Sequence, residues 1–246
     1  MDTWNLFQLI KKIYNYEPNL FEIIFDYVFV PCRGDSKGKH KFIRAMSALG
    51  TNIISQKAFK SDTIKMVIID SSVLSIGMCA FTDCVSLNTV VISDSVTSIE
   101  CYAFRNCKFL KKVVIPNSVK SIGMCAFDGC FSLSEVIIPD SVKSIGSYAF
   151  RDCESLTNVV ISNSVTSIEN CIFSGCKLLT DVQIPDSVTS IGICSFDGCL
   201  SLSTMIIPCN VNSIGMCAFR DCKSLSRVKI LNSEIFIDNY AFDVCK

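Results

Sequence analysis

Residues 141–161 read SVKSIGSYAFRDCESLTNVVI, and the same pattern recurs every 23 residues from about residue 71 to the C-terminus. Phe81, Phe104, Phe127, Phe150, Phe173, Phe196, Phe219 and Phe242 keep that period without a break. A Cys three residues after each Phe keeps step, from Cys84 to Cys245. A fixed period of roughly 20 to 50 residues marks a solenoid, in which each unit buries its interior against its two neighbours. Length then measures repeat number rather than domain count.

Within a unit, L-x-x-V-x-I reads as a strand. Side chains alternate along it, so Val136 and Ile138 point inward while Glu135 and Ile137 point to the opposite face. Pro139 and Asp140 turn the chain. A second short extended piece, V-x-S-I, buries Val142 and Ile145. Gly146 makes the next corner, but Glu100, Glu169 and Asp238 stand at its equivalents, so the corner does not require a glycine-only dihedral. A-F-x-x-C is expected to form a tight helical turn that drops Phe150 and Cys153 into the core. The fold expected is a curved, mainly β repeat solenoid of short strands and tight helical turns.

Composition fits this reading. The 246 residues are 50% hydrophobic, which suits stacked units more than a compact domain with a solvated shell. Formal net charge is zero. No overall field attracts nucleic acid or an anionic membrane. The longest apolar run, residues 20–30, carries Glu22 and Asp26, so membrane insertion is not expected. Asp2, Lys11 and Lys12 disagree with a secretory leader, which gives a cytoplasmic expectation. Cell-surface display or secretion by a non-classical route is the alternative.

Sixteen cysteines would suit a secreted disulfide scaffold, but thirteen fall on two repeat columns. One follows Phe by three residues. The other precedes it by two, at Cys79, Cys125, Cys171, Cys194 and Cys217, with Tyr102, Tyr148 and Tyr240 at the remaining positions. A site that takes Cys or Tyr selects for a mostly buried side chain, so these cysteines read as small packed hydrophobes. The C-x4-C spacing and a single His, His40, do not suggest a zinc site.

Residues 1–50 lack the repeat and are expected to form a small α-helical N-terminal cap. Trp4, Phe7, Ile10 and Tyr14 recur at helical spacing, a second helix is expected from Leu20 to about Phe29, and a third pattern runs over 42–49 to Gly50. The stretch 18–28 has the apolar spacing that opens an F-box, which would make the chain a substrate adaptor. Arg33-Gly34-Asp35 spells an integrin-ligand tripeptide in the basic loop that also holds His40. Residues 51–246 form the solenoid: a degenerate repeat over about 52–70, full repeats over about 71–232, and an altered partial unit over 233–246. In that last unit Glu234 replaces a core Val, so the C-terminal end either caps the stack or supports self-association.

The unit L-x-x-V-x-I-P-x-S-V-x-S-I-G-x-x-A-F-x-x-C-x-S, readable from Leu133 to Ser155, resembles the BspA-like, or Treponema-type, leucine-rich repeat over about three quarters of the chain. The resemblance implies a curved leucine-rich-repeat solenoid with a binding role, since family members include bacterial surface adhesins and antigens as well as protist proteins. It carries over no catalytic residue and no cofactor. Departures are Ser93 and Ser162 in place of Pro, and the three lost glycines.

The outward strand positions form two columns. One includes Thr89, Lys112, Glu135, Asn158, Asp181 and Thr204, varied in charge as a recognition surface is. The other includes Val91, Val114, Ile137, Val160, Gln183 and Ile206, and its β-branched run is an apolar patch suited to contact. These twelve residues are the candidate binding site for a protein partner. No nucleophile with its base, phosphate-cradling loop or carboxylate pair emerges from motif spacing, so an enzyme is not expected. A structural, self-associating repeat protein is the alternative.

Overall fold

Period-two alternation sets the architecture. The computed structural model describes Phe42–Ala45, Ile53–Ile54 and residues 64–245, the first of these through backbone alone. Its strands in chain order are β1 (Phe42–Ala45), β2 (Ile53–Ile54), β3 (Met66–Ile69), β4 (Ser75–Ile76), β5 (Thr89–Val91), β6 (Ser98–Ile99), β7 (Lys112–Val113), β8 (Ser121–Ile122) and β9 (Glu135–Ile137). They continue as β10 (Ser144–Ile145), β11 (Asn158–Val160), β12 (Ser167–Ile168), β13 (Asp181–Gln183), β14 (Ser190–Ile191), β15 (Thr204–Ile207), β16 (Ser213–Ile214), β17 (Arg227–Ile230) and β18 (Phe236–Ile237).

Odd-numbered strands come from V-x-I and even-numbered strands from V-x-S-I. Each family stacks in parallel with like on like: Val159 lies between Val136 and Val182, and Ile145 lies beside Ile122. The odd ladder runs unbroken from β1 to β13 and resumes as the pair β15–β17. The even ladder is divided between β10 and β12. β13 and β15 remain neighbours across their interruption.

A third wall is built from A-F-x-x-C, and here the expected helical turn is corrected. No helix occurs among the described residues. Each turn is a run of β-turns, such as Ala80 N–H to the Gly77 carbonyl and Thr82 N–H to the Cys79 carbonyl. The intervening donors of Cys79, Phe81 and Asp83 reach the next unit's carbonyls at Cys101, Ala103 and Arg105. Residues before Ala and before Cys have positive φ, as at Tyr148 (63°) and Asp152 (56°). A left-handed residue ends a right-handed helix, and it frees alternate N–H groups to bond along the stack.

The interior repeats as the sequence requires. Phe rings stack at centroid separations of 5.1 to 5.8 Å from Phe81 to Phe242. The column deviates most around Phe173, with interplanar angles of 12° and 23°. There Ile172 occupies a buried position that Ala149 fills one unit earlier, so the ring has to shift aside. The Cys column is unbridged, buried from Cys84 to Cys222 and half-buried at Cys245. From Cys107 to Cys245 each thiol also donates to the preceding unit's Phe carbonyl, as Cys107 does to Phe81 at 3.2 Å and Cys130 to Phe104 at 3.2 Å.

The N-terminal expectation needs a second correction. The helix expected over 42–49 is instead, in its first part, strand β1, which pairs in parallel with β3, placing Ile43 beside Val67. An open strand edge supplies backbone partners that override helical spacing. The rest of the expected helical cap, the F-box-like stretch, Arg33-Gly34-Asp35 and His40 lie outside the described residues.

Candidate functional site

The odd ladder presents one side to the core and the other outward, and the predicted columns lie on the outward side. Register brings Asn158 between Glu135 and Asp181, and Val160 between Ile137 and Gln183. Thr204 pairs with Arg227 and Ile206 with Lys229. The twelve candidate residues therefore form two adjacent rows.

Their accessibility is graded. Met66, Ile68, Thr89 and Val91 face away from the core yet are buried, so that end of the sheet is covered on both sides. Thr89 and Val91 are thereby removed from the accessible surface, which corrects the expectation of an unbroken exposed apolar run. Lys112 and Val114 are half-buried. Exposure begins at Glu135 and Ile137 and extends through Asn158, Val160, Asp181, Gln183, Thr204 and Ile206, with Ile137, Val160 and Ile206 at 57, 51 and 59%.

A depression of about 660 Å³ opens on this exposed part. Asn158, Val160, Asp181, Gln183, Thr204 and Ile206 line it, and it lies over the interruption between β13 and β15. Asn163, Asp186, Pro208 and Leu231 also line it. Asn163 and Asp186 are the equivalents of Asp140, which the sequence marks only as a turn former. The available signal was their place directly after the strand, which sets them beside its outgoing end.

Charge is unevenly distributed across the face. Lys112 and Glu135 neutralise one another at 3.8 Å, an exposed pair of small energetic weight. Asp181 and Asp186 form no ion pair among the described residues. Arg227 and Lys229 stand on the neighbouring rung beyond Thr204 and Ile206.

The lateral turn wall differs, because its charges are satisfied internally. Asp128, 1% exposed, accepts from Arg105 Nε at 3.2 Å and from Arg151 Nε and Nη2 at 2.8 and 3.0 Å. The two guanidinium groups lie over Tyr102 and Tyr148, 5.6 and 5.1 Å from the ring centroids. Hydrogen bonding to Asp128 holds the Arg151 guanidinium above its ordinary pKa. The five Cys of the second column lie on this wall, half-buried at Cys79, Cys171 and Cys194 and buried at Cys125 and Cys217. Burial pushes the Cys194 thiol up to about 11, aided by neighbouring Cys171, which makes it a poor nucleophile at neutral pH. No group of three or more His, Cys, Asp or Glu able to hold a metal ion occurs among the described residues. No helix among them is long and apolar enough to cross a membrane.

Comparison with known proteins places the fold. A leucine-rich-repeat protein of Treponema pallidum is similar at 32% identity, TM-score 0.60, over 66% of this chain and 78% of that one. A leucine-rich-repeat protein of Bacteroides ovatus is similar at 29% identity and TM-score 0.63, and one of Eubacterium ventriosum at 25% and 0.61. These two matches cover 80% and 74% of this chain but only 59% of each relative. No curated protein is similar in sequence. The profile described as BspA type leucine rich repeat region matches residues 52–180 and 121–246, which together take in every strand from β2 onward and the strand face. The chain thus belongs to the BspA-type leucine-rich-repeat family.

Proposed function

We propose that the chain is a non-enzymatic protein-interaction module that binds a protein partner through the exposed part of its strand face, from Glu135 and Ile137 to Thr204 and Ile206. One observation carries this reading. Ile137, Val160 and Ile206 are each more than half exposed on one row beside a 660 Å³ depression. β-Branched side chains suit strands wherever they point, but exposed apolar side chains grouped on one row at a concavity, here with only Gln183 between them, mark a contact site.

The test compares the native chain with Ile137→Glu/Val160→Glu/Ile206→Glu. Thermal melting should coincide within a few degrees, because all three side chains are exposed. Partners captured by the native chain and identified by mass spectrometry should be lost from the variant. Unchanged capture by a folded variant overturns the reading. It includes a reducing compartment, which the unbridged thiols support. Thiol counting on unfolded protein taken directly from its source checks that, and mostly blocked thiols would contradict it.

Self-association is a second reading, favoured by the last rung. Phe236, Tyr240 and Val244 are 65, 67 and 56% exposed there, beside a strand edge with open backbone groups. Light scattering across a concentration series distinguishes it: Phe236→Asn/Tyr240→Asn should remove any association that the native chain displays.

A further inference from the structure

The repeat has a longer period within it. Units resemble each other most at a spacing of 69 residues: SVTSIE occurs at 95–100 and again at 164–169, Asp128 and Arg151 answer to Asp197 and Arg220, and Lys108 to Lys177. The chain therefore contains two successive three-unit cassettes, and the first serves as an internal reference for the second. On the first row of the strand face the reference changes in charge at every step. Lys112 is replaced by Asp181, Glu135 by Thr204 and Asn158 by Arg227.

The physical consequence is specific. In the first cassette the Lys112 ammonium and the Glu135 carboxylate satisfy one another. In the second, a carboxylate stands where the ammonium was, and a hydroxyl stands where its partner was. Asp181 is left facing the depression together with Asp186, and neither forms an ion pair among the described residues. The nearest basic rung, Arg227 and Lys229, lies two strand spacings from Asp181, roughly 10 Å away. That is about one Debye length at physiological salt, too far for neutralisation by contact. Between the two charges lie Thr204 and Ile206, and Val160 stands on the rung on the other side of Asp181. No aromatic side chain lines the depression, so it lacks the platform on which a sugar ring or nucleobase would stack.

We infer that this depression takes a protein segment that presents one basic side chain to Asp181, a second to Asp186 and apolar side chains to Val160 and Ile206, oriented by the positive rung at Arg227 and Lys229. The inference rests on the strand-face reading above and adds the chemistry of the partner. The occupant supplies the cation that the first cassette supplies to itself. Electrostatic complementarity of this kind fixes register and partner choice.

The experiment is a selection of random 12-residue peptides displayed on phage, using the full chain as target. Enriched peptides should carry an excess of Lys and Arg beside aliphatic residues. Binding measured with the synthetic peptides should weaken at least about tenfold on Asp181→Lys/Asp186→Lys, and to a lesser degree on Asp181→Asn. It should also weaken as salt is raised, and survive Asp128→Asn, which alters charge on the lateral wall only. Melting curves check that each variant is folded. Enriched peptides without a basic excess, binding unchanged by Asp181→Lys/Asp186→Lys, or a failure to enrich any peptide would each overturn the inference. The two readings fail differently. Loss of binding on Val160→Glu/Ile206→Glu with no effect of Asp181→Lys/Asp186→Lys leaves the strand face standing and removes the basic partner. Survival on both variants removes the strand face itself.

Discussion

Ser195 stands where the next turn has Ala218 and the preceding one Ile172; it is wholly buried, and its hydroxyl has no hydrogen-bond partner. A buried polar group left unsatisfied costs about 1 to 3 kcal/mol. Ser195→Ala is therefore expected to stabilise the chain by about 1 kcal/mol, read as a raised urea midpoint with an unchanged slope. Asp128 is the opposite case, a buried carboxylate with three guanidinium hydrogen bonds. Its partners Arg105 and Arg151 are 42 and 36% exposed in their side chains, so solvent screens part of the interaction. Asp128→Asn should lose about 1 to 2 kcal/mol, well below the cost of breaking a fully buried pair. Val244 holds a φ of 57° in a column where Gly198 and Gly175 hold similar values. A β-branched residue is strained there, and Val244→Gly should gain rather than lose stability, by about 1 kcal/mol.

At the scale of the element, the corner glycines illustrate what sequence reasoning could and could not reach. Glu100, Glu169 and Asp238 at equivalent corners correctly exclude a special dihedral, and Gly146 has no positive φ. What Gly146 provides is proximity. A Cβ there would lie 2.5 Å from the Met124 backbone nitrogen and 2.8 Å from the Gly123 carbonyl carbon. Backbone cannot yield as a side chain does, so Gly146→Ala is expected to cost about 1 to 3 kcal/mol, measured by chemical denaturation. The two kinds of strand were legible because V-x-I carries a period-two burial signal and V-x-S-I recurs with its Val and Ile buried, both within a 23-residue frame. The left-handed residues of the turn wall were not. Cys and Tyr at Cys125 and Tyr148 give no glycine-like cue, and their partners are carbonyls of the next unit. Strand β1 was hidden for a related reason, since only the edge of β3 makes a strand of residues with helical spacing.

For the whole molecule, the buried Cys column couples stability to alkaline pH. Burial pushes the Cys107, Cys153 and Cys199 thiols well up, and the Cys222 thiol up to about 12. An unfolded thiol titrates near roughly 8.5. Below that pH both states hold the proton and the column contributes its full stability. Above it the unfolded chain releases protons that the folded chain keeps, so stability falls by about 1.4 kcal/mol per pH unit for each buried thiol until its folded pKa is passed. Urea midpoints should therefore decline steeply above about pH 9, and Cys153→Ala/Cys199→Ala should decline less steeply. A parallel decline would assign the effect to other groups.

Function was legible at this scale only as a face. Two rows of outward residues could be read from alternation, but their graded burial arises from what covers Thr89 and Val91, and the depression arises from an interrupted ladder. Neither has a local sequence signal. The central claim is that the exposed part of that face binds a protein. Amide hydrogen exchange of the native chain, free and saturated with the partner it captures most strongly, tests it directly. The account predicts slowed exchange at residues 158–163, 181–186 and 204–208, with little change in the turn wall around Arg105, Asp128 and Arg151. Slowed exchange confined to the turn wall, with the strand face unaltered, would contradict it.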